Sequence, residues 1–117
     1  RQRHLTIPCE MCIRDSYWVH LMLGRIHLIL GQLFQAQEHL EQARELAGDK
    51  LPHAREEVGV LYGRLLAARG EYQEALSFLR AQSLLCYRRG DRFHQMMTDQ
   101  ELARIEAANL KRSVASL

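Results

Sequence analysis

Aromatic residues make up only 7% of the 117 positions, and there are just two prolines. With 26% charged residues beside them, these shortages suit a soluble helical protein, and no stretch reads as a strand. Charge of one sign is also lacking. The formal balance is +2 with acids and bases interleaved, which excludes the basic face or stripe that nucleic acid requires. The longest apolar run, LMLGRIHLILG, is broken by Arg25 and His27 and is too short to span a bilayer. The first residues have no continuous apolar core of the kind a secretory signal needs. Three cysteines, an odd number without framework spacing, point to a reducing compartment, so a cytoplasmic location is expected. The length allows one small domain or a piece of a larger one.

What the chain does have is helical period, from Tyr17 onward. Four short breaks interrupt it: Gly31-Gln32, Gly48-Asp49-Lys50, Gly70-Glu71 and Gly90-Asp91. Each glycine follows an apolar-periodic run, where helices commonly end in a left-handed residue. Pro52 suits the start of a helix and Asp91 suits an N-cap. The spacing predicts five helices, roughly 17–30, 33–47, 52–69, 72–89 and 92–116. In the second, Leu33, Ala36, Leu40, Ala43 and Ala47 form one stripe, and the small alanines in it allow a close neighbour.

An internal repeat supplies that neighbour. The Gly24-to-Gly63 offset of 39 residues also brings Arg25 onto Arg64, Gly31 onto Gly70, Leu33 onto Tyr72, Ala36 onto Ala75 and Leu40 onto Leu79. So many matches at one offset identify a helical-hairpin repeat. LGRIHLILGQLFQAQEHLEQA and YGRLLAARGEYQEALSFLRAQ both carry the Gly, Gly-x-aromatic-or-Leu, Ala, Leu order of the tetratricopeptide (TPR) repeat, which the chain resembles over about residues 17–89. It departs from that pattern where the family's tryptophan is His20 or Gly59, where its later tyrosine is His27 or Leu66, and in lacking the helix-ending proline. The repeat also exceeds the family's ~34 residues, so the second helix pair is expected to be longer. The resemblance implies an all-α fold of antiparallel hairpins stacked as a short TPR-like α-solenoid over 17–90, followed by a long C-terminal capping or connector helix over 91–117.

The N-terminal stretch reads differently. Back-translated, Met11 to Asp15 can be spelled ATG TGT ATA AGA GAC, and Glu10 and Ser16 extend a string that resembles a transposase adaptor end used in preparing sequencing libraries. Residues 1–16 are therefore expected to be non-native or disordered and to add nothing to stability. Two chemical alternatives concern Cys9-Glu10-Met11-Cys12. A redox pair would need a strand-to-helix handover, which is absent. A zinc site from His4, Cys9, Cys12 and His20 would have unusual spacing. Because the chain starts at Arg1 and stops within a helical pattern, it reads as a piece of a longer protein.

The last helix carries a heptad seam: Phe93, Met96, Gln100, Ala103, Ala107, Leu110, Val114 and Leu117. Met97, Leu102 and Ile105 add a second stripe in its first half only. The preceding hairpin is expected to cover one side of that half. The stretch Ala103, Ala107, Leu110, Val114, Leu117 is then a narrow coiled-coil seam through which a homodimer could form. A simple cap for the hairpins, or another repeat's first helix, are the other readings.

Catalytic signatures are missing: no phosphate-binding glycine loop, no nucleophile motif and no metalloprotease helix. No catalytic residue, cofactor or metal is assigned. His20, His27 and His39 can approach one another, but His27 stands where the resembling family packs an aromatic. Cys86 reads as a small buried hydrophobe. Arg25 and Arg64 follow the small residue of each first helix, and in the resembling family that position faces a bound peptide. The resemblance implies a groove in which both arginines hold a carboxylate above a floor of Leu28, Ile29, Ala67 and Ala68. The plainer reading is two solvated arginines paired with acids such as Glu56 or Glu57.

The expected function is thus a non-catalytic module that binds a protein or peptide, without nucleic acid or membrane. The stretch from Ala68 to Leu117 is similar to the junction where bacterial repeat-containing sensors pass into a diguanylate cyclase or histidine kinase, chiefly in Arg104 to Leu110. The alternatives are the sensory part of a transcription activator whose DNA-binding domain lies elsewhere, or a stand-alone scaffold.

Overall fold

A computed structural model describes residues 10–117, and these form five helices and no strand. They are α1 (Glu10–Leu30), α2 (Leu33–Ala47), α3 (Ala54–Ala68), α4 (Tyr72–Arg89) and α5 (Arg92–Ala115). The all-α expectation holds, and the three glycine turns show why its boundaries were readable. Gly31, Gly70 and Gly90 all take positive φ, at 78°, 87° and 74°. At each, the following N–H reaches back to close the preceding helix: Gln32 to His27 O, Glu71 to Leu66 O and Asp91 to Cys86 O, at 2.8–2.9 Å. This left-handed helix end satisfies carbonyls that would otherwise be orphaned, and it reverses the chain within two or three residues.

Two boundaries differ from expectation. α1 begins at Glu10 rather than Tyr17, with Ile13 buried on its inner face and Met11 exposed. The stretch 10–16 is therefore helical rather than disordered, because Ile13 continues the inward stripe of Tyr17 and Leu21. Residues 1–9, including Cys9 of the cysteine pair, lie outside the described residues. α3 starts at Ala54, after a turn through Pro52 and His53. The extra repeat length sits in this α2–α3 connection, and α3 with 15 and α4 with 18 residues are not a longer pair than α1 with 21 and α2 with 15.

The repeat register is physical. A Cβ on Gly24 would stand 2.8 Å from Leu40 Cδ2, and one on Gly63 would stand 2.7 Å from Leu79 Cδ1. Each leucine thus seats in the notch left by the glycine of the facing helix. Ala36 and Ala75, at equivalent places, have no exposed surface. One pair of positions trades volume between hairpins. His20 and Ala43 in the first become Gly59 and Gln82 in the second, and the Gln82 amide lies over Gly59, where a Cβ would meet Oε1 at 1.9 Å.

α3 packs against all four other helices, whereas α2 and α4 do not meet. The result is a flat body, 58 × 34 × 16 Å. One core joins α1, α2 and α3 around Leu21, Leu40, Val58, Leu61 and Leu65. Tyr17 reinforces it by donating its hydroxyl to Glu57 Oε1 at 2.6 Å, and burial together with that carboxylate holds the phenol well above its usual range. The second core, of Leu66, Ala75, Leu76, Leu79 and Ile105, continues into a polar joint. There Gln82 Nε2 donates to Glu56 O at 3.2 Å and to Thr98 Oγ1 at 2.9 Å. Thr98 in turn donates to His94 O at 2.8 Å. Among the described residues no helix is long and apolar enough to cross a membrane.

Candidate functional site

The six residues expected to line a groove are not brought together as one. Leu28 is in the core beside α2 and α3, Ile29 is 74% exposed, and Ala67 packs beside the second core while Ala68 is exposed. Arg25 is exposed, but Arg64 is taken up within the fold. Its Nη2 and Nε donate to the two Glu101 oxygens at 2.9 and 3.3 Å, and Glu101 is almost wholly buried on α5. A buried carboxylate needs such a bidentate partner, so Arg64 serves the α3–α5 contact rather than a ligand. The plainer reading of solvated arginines paired with Glu56 or Glu57 misses as well, since Glu56 pairs with Arg89 and Glu57 with Tyr17.

The open surface of the molecule lies on the other side of α3. Tyr62 is two residues, about 200° of helix, from Arg64. Around it α2 and α4, which do not touch, stand as walls of a groove of about 650 Å³. Its floor is Val58, Gly59 and Tyr62 of α3, and the α4 wall is Phe78, Ala81 and Leu85. Phe78 meets Tyr62 edge-on with centroids 5.2 Å apart, and Leu85 is 51% exposed. The rim carries Arg44 of α2 and Arg55 of α3, both exposed, and neither forms an ion pair among the described residues. At one end Arg89 closes the groove through its pair with Glu56. The sequence carried a signal for this surface in Phe78 and Leu85, apolar residues at i and i+7 on the outer face of α4.

α5 is the second notable surface. Its buried face is largely polar, with His94, Thr98 and Glu101 alongside Ile105. Its apolar seam faces solvent: Phe93, Met96, Leu110, Val114 and Leu117 are each more than half exposed, and Ala103 and Ala107 are exposed as well. Of the expected second stripe, Leu102 and Ile105 pack in the second core, while Met97 is half-buried and outside it. Phe93, by contrast, stands away from it at 60% exposure.

Histidines cluster in two places. His20 and His39 bring their Nδ1 atoms to 3.0 Å, and His27 stacks flat on His39. Burial and the neighbouring His39 hold His20 below its usual range. The other cluster joins His53, Asp91 and His94, with Cys86 and Glu56 next to it. Sequence reasoning missed this second group because its members come from two distant turns, and only Asp91 and His94 are close in the chain. Comparison with protein-family models, with curated proteins and with solved structures returns no match.

Proposed function

We propose that the chain is a TPR-like, non-catalytic interaction module that binds an apolar segment of a partner protein in the groove between α2 and α4. The observation that carries this reading is the groove itself. Its lining is mostly apolar, it opens to solvent between α2 and α4, and its size falls in the range of ligand sites, ~300–1,000 Å³. The matching glycine–leucine notches of the two hairpins support the repeat part of the proposal. A partner helix or extended strand would place apolar side chains against Val58, Tyr62, Phe78 and Leu85, with carboxylates toward Arg44 and Arg55.

Peptides selected from a phage-displayed random library on the immobilised chain test this. They are expected to be apolar with acidic flanks. Phe78→Glu with Leu85→Glu should weaken them by at least ~30-fold, the scale of an interface hot spot. Both side chains are partly exposed, so circular dichroism should be unchanged. Selected peptides that bind the double variant as tightly as the wild type would contradict the reading.

The exposed seam favours a second element of the proposal, that α5 pairs in parallel with α5 of a second copy. With Phe93, Gln100, Ala107 and Val114 at a positions and Met96, Ala103, Leu110 and Leu117 at d, the flanking e positions hold Arg104 and Lys111 and the g positions hold Asp99 and Glu106. A parallel pair sets Asp99 against the partner's Arg104 and Glu106 against the partner's Lys111. An antiparallel pair would oppose like charges. Within the chain Glu106 pairs with Arg80 at the surface, weakly enough to exchange, and the exposed Arg104 reaches the buried Glu101 only at 3.5 Å, a carboxylate that Arg64 already holds. Such a pair places the C-terminal ends together, which suits the side-by-side effector domains implied by the resemblance to sensor proteins.

A further inference from the structure

Where α3 begins and α4 passes into α5, side chains with metal-binding donors converge on a single carboxylate. The turn produces this convergence. The left-handed Gly90 lets the Asp91 N–H donate to Cys86 O at 2.9 Å, which folds Asp91 back over the end of α4. Asp91 Oδ1 is engaged as the α5 cap, accepting from the His94 N–H at 3.2 Å. His94 Nδ1 lies 3.0 Å from both carboxylate oxygens, and Oδ2 faces a second imidazole as well, with His53 Nδ1 at 3.3 Å. The two rings stack with centroids 4.4 Å apart. A cap needs only Oδ1, and neither a cap nor a simple ion pair calls for a second histidine on Oδ2.

The second histidine is held there at a conformational cost. His53 is the one non-glycine residue with positive φ among those described, at 67°. It stands at the N-cap position of α3 but makes no side-chain cap bond. Strain of this kind persists where the surroundings demand it, and it gathers at ligand sites. Here it aims Nδ1 at Asp91. On the far side Cys86 Sγ, Glu56 and Asp91 offer donor atoms within 4.8 Å of one another. Glu56 is already engaged by Arg89, while Cys86 is wholly buried.

We infer that His53, Asp91 and His94 form a binding site for a zinc-class divalent cation, with the fourth position left to a water molecule. Bond lengths of ~2.0–2.3 Å place neighbouring tetrahedral ligands about 3.4 Å apart, close to the two nitrogen–oxygen distances observed. Two imidazoles and a carboxylate select zinc or cobalt over calcium or magnesium, which take oxygen donors. On binding, each imidazole keeps its proton on Nε2 and presents the Nδ1 lone pair. The Asp91 carboxylate supplies one negative charge, and no proton leaves the protein. The site would fasten the start of α3 to the α4–α5 turn, and it does not depend on the proposed groove or on α5 pairing.

Titration of the full chain with cobalt(II), followed by visible absorption and by competition with zinc, tests this. One equivalent is expected, with the d–d bands of a four-coordinate ion and no sulfur-to-cobalt charge-transfer band. His53→Gly accepts the positive φ, so the fold should persist while affinity falls by more than the ~10–100-fold that loss of an outer partner costs. Cys86→Ser should leave the affinity and the d–d bands unchanged. The control variant His39→Gln with Cys12→Ser should bind as the wild type does, because the site uses neither residue. No binding by the wild type, equal affinity in His53→Gly, or a sulfur-to-cobalt charge-transfer band would overturn the assignment. So would loss of binding in the control variant.

Discussion

Leu110→Lys combined with Leu117→Lys is expected to sediment as a monomer at concentrations where the wild-type chain is in a monomer–dimer equilibrium. Both leucines occupy d positions of a seam that faces solvent, at 66% and 104% exposure. Neither supports the hairpins, so the lysines should leave helix content and thermal midpoint nearly unchanged. In a dimer they would place four ammonium groups in an apolar contact, where burying unpaired charge is prohibitive. The seam has alanine at 103 and 107 and glutamine at 100, so the wild-type association should be modest, with Gln100 fixing register at some cost in strength. Reversing Arg104 and Lys111 to glutamate should weaken association. Adding Asp99→Lys and Glu106→Lys should restore it. A Leu117→Cys variant, with Cys9 and Cys12 replaced by serine, should oxidise readily to a covalent dimer, because parallel pairing sets the two 117 positions side by side. A wild type that stays monomeric at all accessible concentrations, or a dimer indifferent to both lysines, would make α5 a cap for the second hairpin and nothing more.

The second large effect concerns the core. Leu40→Ala and Leu79→Ala should each destabilise the chain by about 2–5 kcal/mol, a large share of the ~5–15 kcal/mol that holds a small domain together. Leu40 is 2% exposed and Leu79 is fully buried, and each fills a glycine notch on the facing helix. The alanine variants leave cavities that two rigid helix backbones cannot close. Ala36→Leu and Ala75→Leu should err in the opposite direction, overpacking the same contacts at about 1–3 kcal/mol each. Similar losses at equivalent positions, read from urea midpoints, follow from a shared register. A midpoint that hardly moves for Leu79→Ala, beside a large loss for Leu40→Ala, would mean that the second hairpin is not packed as the first is.

Much of this architecture could be read from local signals. Helix ends were marked by Gly31, Gly70 and Gly90, since the left-handed turn that closes a helix is a property of a few consecutive residues. The equivalence of Gly24 with Gly63 and of Leu40 with Leu79 was implied by a repeated pattern, because equivalent hairpins must solve the same packing problem, although the pattern did not say that each glycine faces its leucine. The α5 seam was visible as period alone. What the sequence hid were partners across the fold. Arg64 looked available because its register position is exposed in the resembling family, and nothing local reveals that Glu101, from α5, would reach its guanidinium. Burying Glu101 in turn required that arginine. Likewise Gln82 has no obvious place inside a core until Gly59 is seen to vacate one. The early start of α1 was concealed by a resemblance at the level of nucleotides, which says nothing about how Ile13 packs. His53 and Asp91 belong to separate turns, and only the reversal at Gly90 brings them together.

The groove between α2 and α4 is the centre of the functional proposal, and amide chemical shifts would test it most directly. Titrating a library-selected peptide into the isotopically labelled chain should perturb Arg44, Val58, Tyr62, Phe78 and Leu85, with little change at Arg25, Ala67 and Ala68. Perturbations confined to Arg25, Ala67 and Ala68, with the α2–α4 groove silent, would contradict the account and return the binding surface to the α1–α3 side.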